Sequence, residues 1–68
     1  MTSDDLTIRE HQIVTLIAAG LSNKEIAHSI GTTEGTVKGH LFKIYRKLDI
    51  KGRVALAVLH LRRQEKAA

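Results

Sequence analysis

The 68-residue chain is long enough for one domain only, which we take as residues 1–68 with an ordered part from about residue 5 to 65. It contains no cysteine, which excludes disulfide bonds and thiolate metal sites and fits a reducing compartment such as the cytoplasm. No apolar run approaches the roughly 20 residues that cross a bilayer, so we expect no membrane partner. The polar, acidic start of the chain predicts no secretory signal.

Charge is distributed unevenly along the chain. Residues 1–35 carry five acidic and two basic side chains, a net charge of −3, whereas residues 36–68 carry nine basic and two acidic side chains, a net charge of +7. The formal charge of the whole chain is +4. A basic half is typical of a protein with a polyanionic partner, although a solvated basic surface explains the charge alone equally well.

Two capping boxes predict the first two helices. Thr7 with Glu10 begins the first helix and Ser22 with Glu25 begins the second, because in each pair the hydroxyl and the carboxylate can bond the partner's backbone N–H. A glycine follows each helix, where the chain must adopt a left-handed conformation. These two glycines are Gly20 and Gly31.

Two further helices follow in the basic half. Thr33 predicts the start of the third helix, and Glu34 lies in its first turn, where the helix dipole favours an acid. An apolar stripe at helical spacing then runs through Val37, Leu41, Ile44 and Leu48. The segment from Val54 to about Gln64 predicts a fourth helix, apolar on several sides, and residues 1–5 and 66–68 are expected to fray. The predicted fold class is therefore all-α, a four-helix bundle.

The short break at residues 31–33 predicts a helix-turn-helix, in which the second helix of the pair enters the major groove of DNA. The face of this helix opposite the apolar stripe carries two glycines, an aromatic residue and two bases, and two lysines flank the stripe. Phe42 has two interpretations: it fills the core against another helix, or it contacts the DNA at a thymine methyl group or at the sugar edge. The basic side chains on this face favour contact with DNA phosphates or nucleobases over plain solvation. The residues of the outer face and its flanks are Gly35, Gly39, Phe42, Lys43, Arg46, Lys38 and Lys47.

A longer pattern surrounds this break. The run GLSNKEIA at residues 20–27, followed by TVK at residues 36–38 and by His40, resembles the LuxR-type (FixJ/NarL-type) helix-turn-helix domain. The likeness extends from about residue 6 to residue 62. It implies that the second and third helices are the scaffold and recognition helices, the latter at about residues 34–48. It also implies the output domain of a bacterial transcription regulator, as in two-component response regulators with an upstream receiver domain or in quorum-sensing receptors.

The resemblance implies roles for individual residues. Asn23 and Lys24 match the start of the scaffold helix, which faces the DNA backbone, and Thr36 and Lys38 match phosphate- and base-contacting positions. Sequence-reading side chains are expected at residues 39, 42 and 43. The full predicted DNA-binding set is Asn23, Lys24, Thr33, Thr36, Lys38, Gly39, Phe42, Lys43, Arg46 and Lys47.

The resemblance also implies a homodimer on DNA. Two copies would bind half-sites about one helical turn apart, in contact through the fourth helix. We predict dimer contacts at Leu56, Val58 and Leu59, although core packing explains an apolar fourth helix as well. One departure from the family pattern concerns stability: Asp49 stands where a glycine commonly follows the recognition helix.

Other chemistries receive little support. The four histidines are scattered over different predicted helices without the spacing of a metal site, and no serine accompanies a histidine and an acid in a catalytic arrangement. We therefore expect no enzyme activity, no catalytic or metal-binding residues and no cofactor. The alternative to a DNA-binding module is a helical protein-interaction module that keeps the fold without binding DNA.

Overall fold

The computed structural model describes residues 6–67, which form four helices and no strand, as the all-α prediction requires. The fourth helix begins at Arg53 and continues past its predicted end at Gln64, so the backbone of residues 66 and 67 is helical rather than frayed. The fraying expected for residues 1–5 and 68 lies outside the described residues. The helices are α1 (Ile8–Ala18), α2 (Asn23–Ile30), α3 (Glu34–Leu48) and α4 (Arg53–Ala67).

Both predicted capping boxes are present. Thr7 Oγ1 accepts a hydrogen bond from the Glu10 backbone N–H at 3.1 Å, and the Thr7 N–H donates to Glu10 Oε1 at 2.8 Å. Ser22 and Glu25 repeat this arrangement at the start of α2 with the same two distances. At the start of α3, Thr33 Oγ1 accepts from the backbone N–H of Thr36 at 3.1 Å. Side chains predicted from the sequence thus satisfy free N–H groups at three helix starts.

The first three helices end in the same way. After each helix, one residue adopts the left-handed conformation, and the next residue donates its N–H to the carbonyl five positions back. Gly20 and Gly31 fill this position after α1 and α2, as predicted, and Asp49 fills it after α3 with a φ of 55°. Among the described residues, Asp49 is the only non-glycine residue with positive φ.

Replacing Asp49 by glycine is expected to stabilise the domain. The left-handed conformation strains a residue with a Cβ, and a carboxylate opposes the helix dipole at the end of α3. Together these effects predict a gain of about 1 kcal/mol, a rise of about 4–8 °C in melting temperature for a domain of this size. Thermal denaturation followed by circular dichroism measures the change. Gly31→Ala is the control at the equivalent position after α2, and it should lower the melting temperature because it places a Cβ in the left-handed conformation. A melting temperature of Asp49→Gly below that of the unmodified chain would contradict the prediction.

The core lies between two pairs of helices. α1 packs most extensively on α4, and α2 on α3, while α1 also contacts α2 and α3. All four helices contribute a large side chain that is fully enclosed. The apolar stripe of α3 faces inward, as predicted, so the opposite face of α3 is turned away from the core. The fully enclosed side chains are Ile13, Ile26, Val37, Ile44 and Leu56.

Leu56 is therefore a core residue, and its prediction as a dimer contact is wrong. Its side chain has 0% exposure, so it offers no surface to a second copy of the chain. Val58 is 43% exposed and Leu59 is half-buried, so both retain accessible surface. Of the two interpretations of the apolar fourth helix, core packing applies to Leu56.

Candidate nucleic-acid interface

The outer face of α3 is exposed along the whole helix. Gly35, Gly39, Phe42, Lys43 and Arg46 all lie on this surface. The side chain of Phe42 is 61% exposed, which excludes the interpretation that it fills the core. The five positions predicted to lie opposite the apolar stripe thus share one accessible surface. This surface is basic and partly aromatic.

Phe42 and Arg46 contact each other one helical turn apart. The guanidinium carbon of Arg46 lies 5.7 Å from the centre of the Phe42 ring, a cation–π distance. A guanidinium above an aromatic face keeps all its N–H donors at its edge, where they can bond an acceptor in the same plane. The arrangement therefore presents an apolar ring and a donor fork side by side.

The start of α3 carries two linked hydroxyl groups. Thr33 Oγ1 accepts the backbone N–H of Thr36 and donates its own proton to Thr36 Oγ1 at 3.0 Å. Since a hydroxyl carries one donor, this arrangement leaves the proton of Thr36 to donate elsewhere, and Thr36 is exposed. Thr33 thus acts mainly as the cap, and Thr36 offers a donor to an anionic oxygen.

The start of α2 is tied to the start of α4. Asn23 Oδ1 accepts a hydrogen bond from Arg53 Nη1 at 3.0 Å, and Arg53 Nη2 donates to the backbone carbonyl of Leu21. The acceptor atom of Asn23 is therefore occupied, while its amide N–H groups remain as donors. Lys24, the next residue, is exposed. This clamp fixes the start of α2, the end that the sequence predicts to face the DNA backbone.

A shallow groove joins the two predicted parts of the interface. It brings Asn23 from α2 next to Lys38 and Phe42 from α3. Two residues outside the predicted set, Tyr45 and Arg53, also line it, with Leu41 at its base. Helical spacing could have placed Tyr45 beside Leu41, one turn earlier, but no local pattern relates Arg53 to Asn23, because 30 residues separate them.

Lys47 lies apart from this groove and contacts α1. Its ammonium Nζ lies 2.8 Å from Oε1 of Glu10, the same oxygen that accepts the backbone N–H of Thr7. The Glu10 side chain is 4% exposed and that of Lys47 is 33% exposed. The ion pair joins the last turn of α3 to the first turn of α1, so the Lys47 ammonium is held by the protein, unlike the lysines of the outer face.

The environment of Glu10 favours its charged form. Burial works to raise the pKa of the Glu10 carboxyl, but the hydrogen bonds from Lys47 and Thr7, together with the Lys47 charge, outweigh burial and hold the pKa below its ordinary value of 4.5. The carboxylate is thus ionised at neutral pH, and its Oε1 accepts bonds from both Lys47 and Thr7. Among the buried side-chain polar atoms of the described residues, none lacks a hydrogen-bond partner.

Two other kinds of site are absent from the described part of the chain. No group of three or more histidine, aspartate or glutamate side chains converges there as a metal site would require. No helix there combines the length and apolar content that crossing a membrane requires. The accessible basic face of α3 and the adjoining groove are thus the candidate site.

The chain is similar in sequence to known bacterial proteins. Residues 4–60 match the family described as bacterial regulatory proteins, luxR family. The putative HTH-type transcriptional regulator YhjB of Escherichia coli K12 is 44% identical over 54 residues, 79% of this chain and 27% of that protein. A nitrate/nitrite response regulator protein homolog of Haemophilus influenzae is 48% identical over 56 residues, 82% of this chain and 27% of that protein.

The nitrate/nitrite response regulator protein NarL of Escherichia coli K12 is similar to the same degree. It is 47% identical over 55 residues, which cover 81% of this chain and 26% of NarL. The chain therefore spans about a quarter of the length of each of these relatives.

Proposed function

Because the chain belongs to the luxR family of bacterial regulatory proteins and is a DNA-binding domain of that family, we propose that α3 reads duplex DNA from the major groove. The observation that carries this proposal is the exposed outer face of α3. There, basic side chains and an aromatic ring project from a helix whose other face is buried. The major groove is wide enough for one helix. The proposed role is binding, with no reaction catalysed.

The phosphate contacts that we propose surround the reading face. Lys38 and Lys43 extend from α3 as exposed point charges, and Thr36 contributes its hydroxyl. Asn23 and Lys24 approach the backbone from the start of α2, where the helix dipole also favours a phosphate. Lys47 has a lesser part, because its ammonium is bonded to Glu10.

We further propose that two copies bind side by side through α4. Val54, Val58 and Leu61 recur at i, i+4 and i+7 and are 76%, 43% and 53% exposed, so they form an apolar stripe on the surface of α4. An apolar stripe of this kind suits a second copy of the same helix. Leu59, half-buried beside it, would lie at the margin.

The parent protein would be a cytoplasmic transcription regulator. The relatives named as response regulators are about four times as long as the matched segment, which leaves room for a receiver domain. We propose that this chain is the output domain of such a two-component regulator. A receiver domain upstream would control pairing of the output domains on two half-sites.

A titration of duplex DNA across a salt series tests the proposal. The logarithm of the association constant should fall linearly with the logarithm of the salt concentration, with a slope of about −0.9 for each phosphate neutralised. Lys38→Ala and Lys43→Ala should each weaken binding to every duplex and make the slope shallower by about one. Fluorescence anisotropy of a labelled duplex measures both quantities.

Arg9→Ala is the matched control for these lysine variants. It also removes one positive charge, but Arg9 lies on the exposed surface of α1, where its guanidinium bonds Gln12. This variant should keep the slope of the unmodified chain. A binding curve that does not respond to salt would contradict the proposal and favour a helical protein-interaction module.

A further inference from the structure

One exposed line along α3 has a distinct composition. Gly35, Gly39, Phe42 and Arg46 recur at i, i+4, i+7 and i+11, which at about 100° per residue places them in one stripe along the helix. This stripe lies roughly opposite the buried stripe of α3. In a helix lying in the groove, this line comes nearest to the base edges. We call it the midline stripe.

The glycines of the midline stripe are not required by the protein itself. A Cβ at Gly39 would meet no atom within 4 Å, and at Gly35 it would meet only Thr33 Oγ1 at an ordinary 3.9 Å. Glycine weakens a helix, and neither position has a positive φ that would favour it. A close approach to an external surface explains both positions, because a helix without side chains on its midline can come nearer to that surface.

The other half of the midline stripe carries the Phe42–Arg46 contact. Its ring and its guanidinium are 5.7 Å apart, so together they cover a length of less than two steps of the DNA duplex, which rises about 3.4 Å per base pair. Lys38 and Lys43 lie roughly 70° to either side of the stripe and therefore point towards the two walls of the groove. Lysines on the walls reach phosphates, whereas the midline reaches bases.

We propose that Phe42 and Arg46 form one reading unit for a thymine and a guanine within two base pairs of each other in each half-site. The inference rests on the proposed major-groove binding and assigns its specificity. Phe42 contacts the C5-methyl group of the thymine, and the Arg46 guanidinium donates to O6 and N7 of the guanine. The ring of Phe42 holds the guanidinium in place, which reduces the freedom that Arg46 loses on binding.

Selection of bound duplexes from a random pool, followed by substitution of single bases, tests the reading unit. The selected half-site should contain the thymine and the guanine. Deoxyuridine at the thymine position removes only the methyl group, and it should lower the affinity of the unmodified chain about fourfold, the loss expected for one buried methyl. Replacement of the guanine by adenine should lower the affinity about tenfold or more.

Variants of the two residues separate their roles. Phe42→Ala should bind the thymine and deoxyuridine duplexes equally, with an unchanged salt slope, since no charge is lost. Arg46→Ala should lose the preference for guanine, and Arg46→Lys should reduce it, because lysine keeps the charge but lacks the planar donor fork. Both residues are exposed, so these variants should fold. Lys24→Ala is the control, because Lys24 lies on α2, outside the midline stripe: this variant should weaken binding and leave the base preference unchanged.

Failure of the reading unit is distinguishable from failure of DNA binding. Absence of any preferred duplex would overturn the proposed function itself. Specific binding without a thymine in the half-site, or with equal affinity for the deoxyuridine duplex, would overturn the reading unit alone. The same holds if Phe42→Ala and Arg46→Ala select the half-site of the unmodified chain.

Discussion

Replacing Leu56 by glutamate should unfold the domain. Leu56 is fully enclosed on the helix that packs most extensively against α1. Truncating a buried leucine costs about 2–5 kcal/mol, and burial of a carboxylate without a partner adds to this cost. A domain of this size has a total stability of roughly 3–10 kcal/mol. The helical signal in far-ultraviolet circular dichroism should therefore be largely lost at 25 °C.

The matched variant Val58→Glu should have the opposite outcome for folding. Val58 lies two residues further along α4 and is 43% exposed, so its charge can remain in water. We expect the native helical signal, a stability within about 1 kcal/mol of the unmodified chain, and impaired pairing of two copies on DNA. Sedimentation of the protein with duplexes carrying one or two half-sites measures the pairing.

The two outcomes test separate statements. A folded Leu56→Glu variant would contradict the placement of Leu56 in the core. A folded Val58→Glu variant that still fills two half-sites with unchanged affinity would show that pairing does not use the exposed stripe of α4. Loss of affinity for the two-site duplex alone, with the one-site duplex unaffected, is the result expected for a contact between copies.

Local signals explain why much of the fold could be predicted. Each capping box spans four consecutive residues. Gly31, which ends α2, and Thr33, which begins α3, likewise act on their immediate neighbours. The outer face of α3 was also predictable, because an apolar stripe of regular spacing defines the opposite face. For Phe42, the structure was needed only to exclude core filling, because its side chain is exposed.

The fourth helix was harder to interpret for a physical reason. Residues 54–59 are all apolar, so helical spacing cannot distinguish the side that faces α1 from the side that faces solvent. Only the packing against α1 separates Leu56 from Val58. The bond of Arg53 to Asn23 is similarly invisible to local reasoning, since it depends on how α4 returns to the start of α2.

Lys47 illustrates the same limit within the candidate site. Its charge and its place on α3 were typical of a DNA contact, but Glu10, 37 residues earlier, holds its ammonium at 2.8 Å. Glu10 was recognised from the sequence only as part of a capping box. Its second role requires the tertiary fold, in which one carboxylate oxygen serves both the cap of α1 and the last turn of α3.

Glu10→Gln should destabilise the domain by about 1–3 kcal/mol at neutral pH. The amide oxygen can still accept the Thr7 N–H, but Lys47 loses a charged partner. The cost stays below the 3–5 kcal/mol of a fully buried pair, because Lys47 is partly exposed and can turn to water. Denaturation by urea measures the free energy of unfolding. Glu25→Gln is the control: this glutamate forms the same kind of capping box in an exposed position, with no lysine bound to it.

The dependence on pH identifies the contribution of the Glu10 charge. Since the pKa of Glu10 is lower in the folded chain than its ordinary value of 4.5, its stabilising effect is present above that value and is lost as the pH falls through the folded pKa. The melting temperature of the unmodified chain should therefore fall on acidification below about pH 4.5, and this fall should be smaller in Glu10→Gln. Glu25→Gln should keep most of it, although the Ser22 backbone N–H also lowers the pKa of Glu25.

Lys47→Met provides an independent check of the same pair. The capping box of α1 remains in this variant, but burial then acts on the Glu10 carboxyl without the ammonium that opposes it, so the pKa of Glu10 should rise. A smaller difference between the folded and unfolded pKa gives a smaller loss of stability in acid. If Lys47→Met and Glu10→Gln both retain the acid-induced fall of the unmodified chain, that fall arises from other carboxyl groups, and the bond between α1 and α3 contributes little to it.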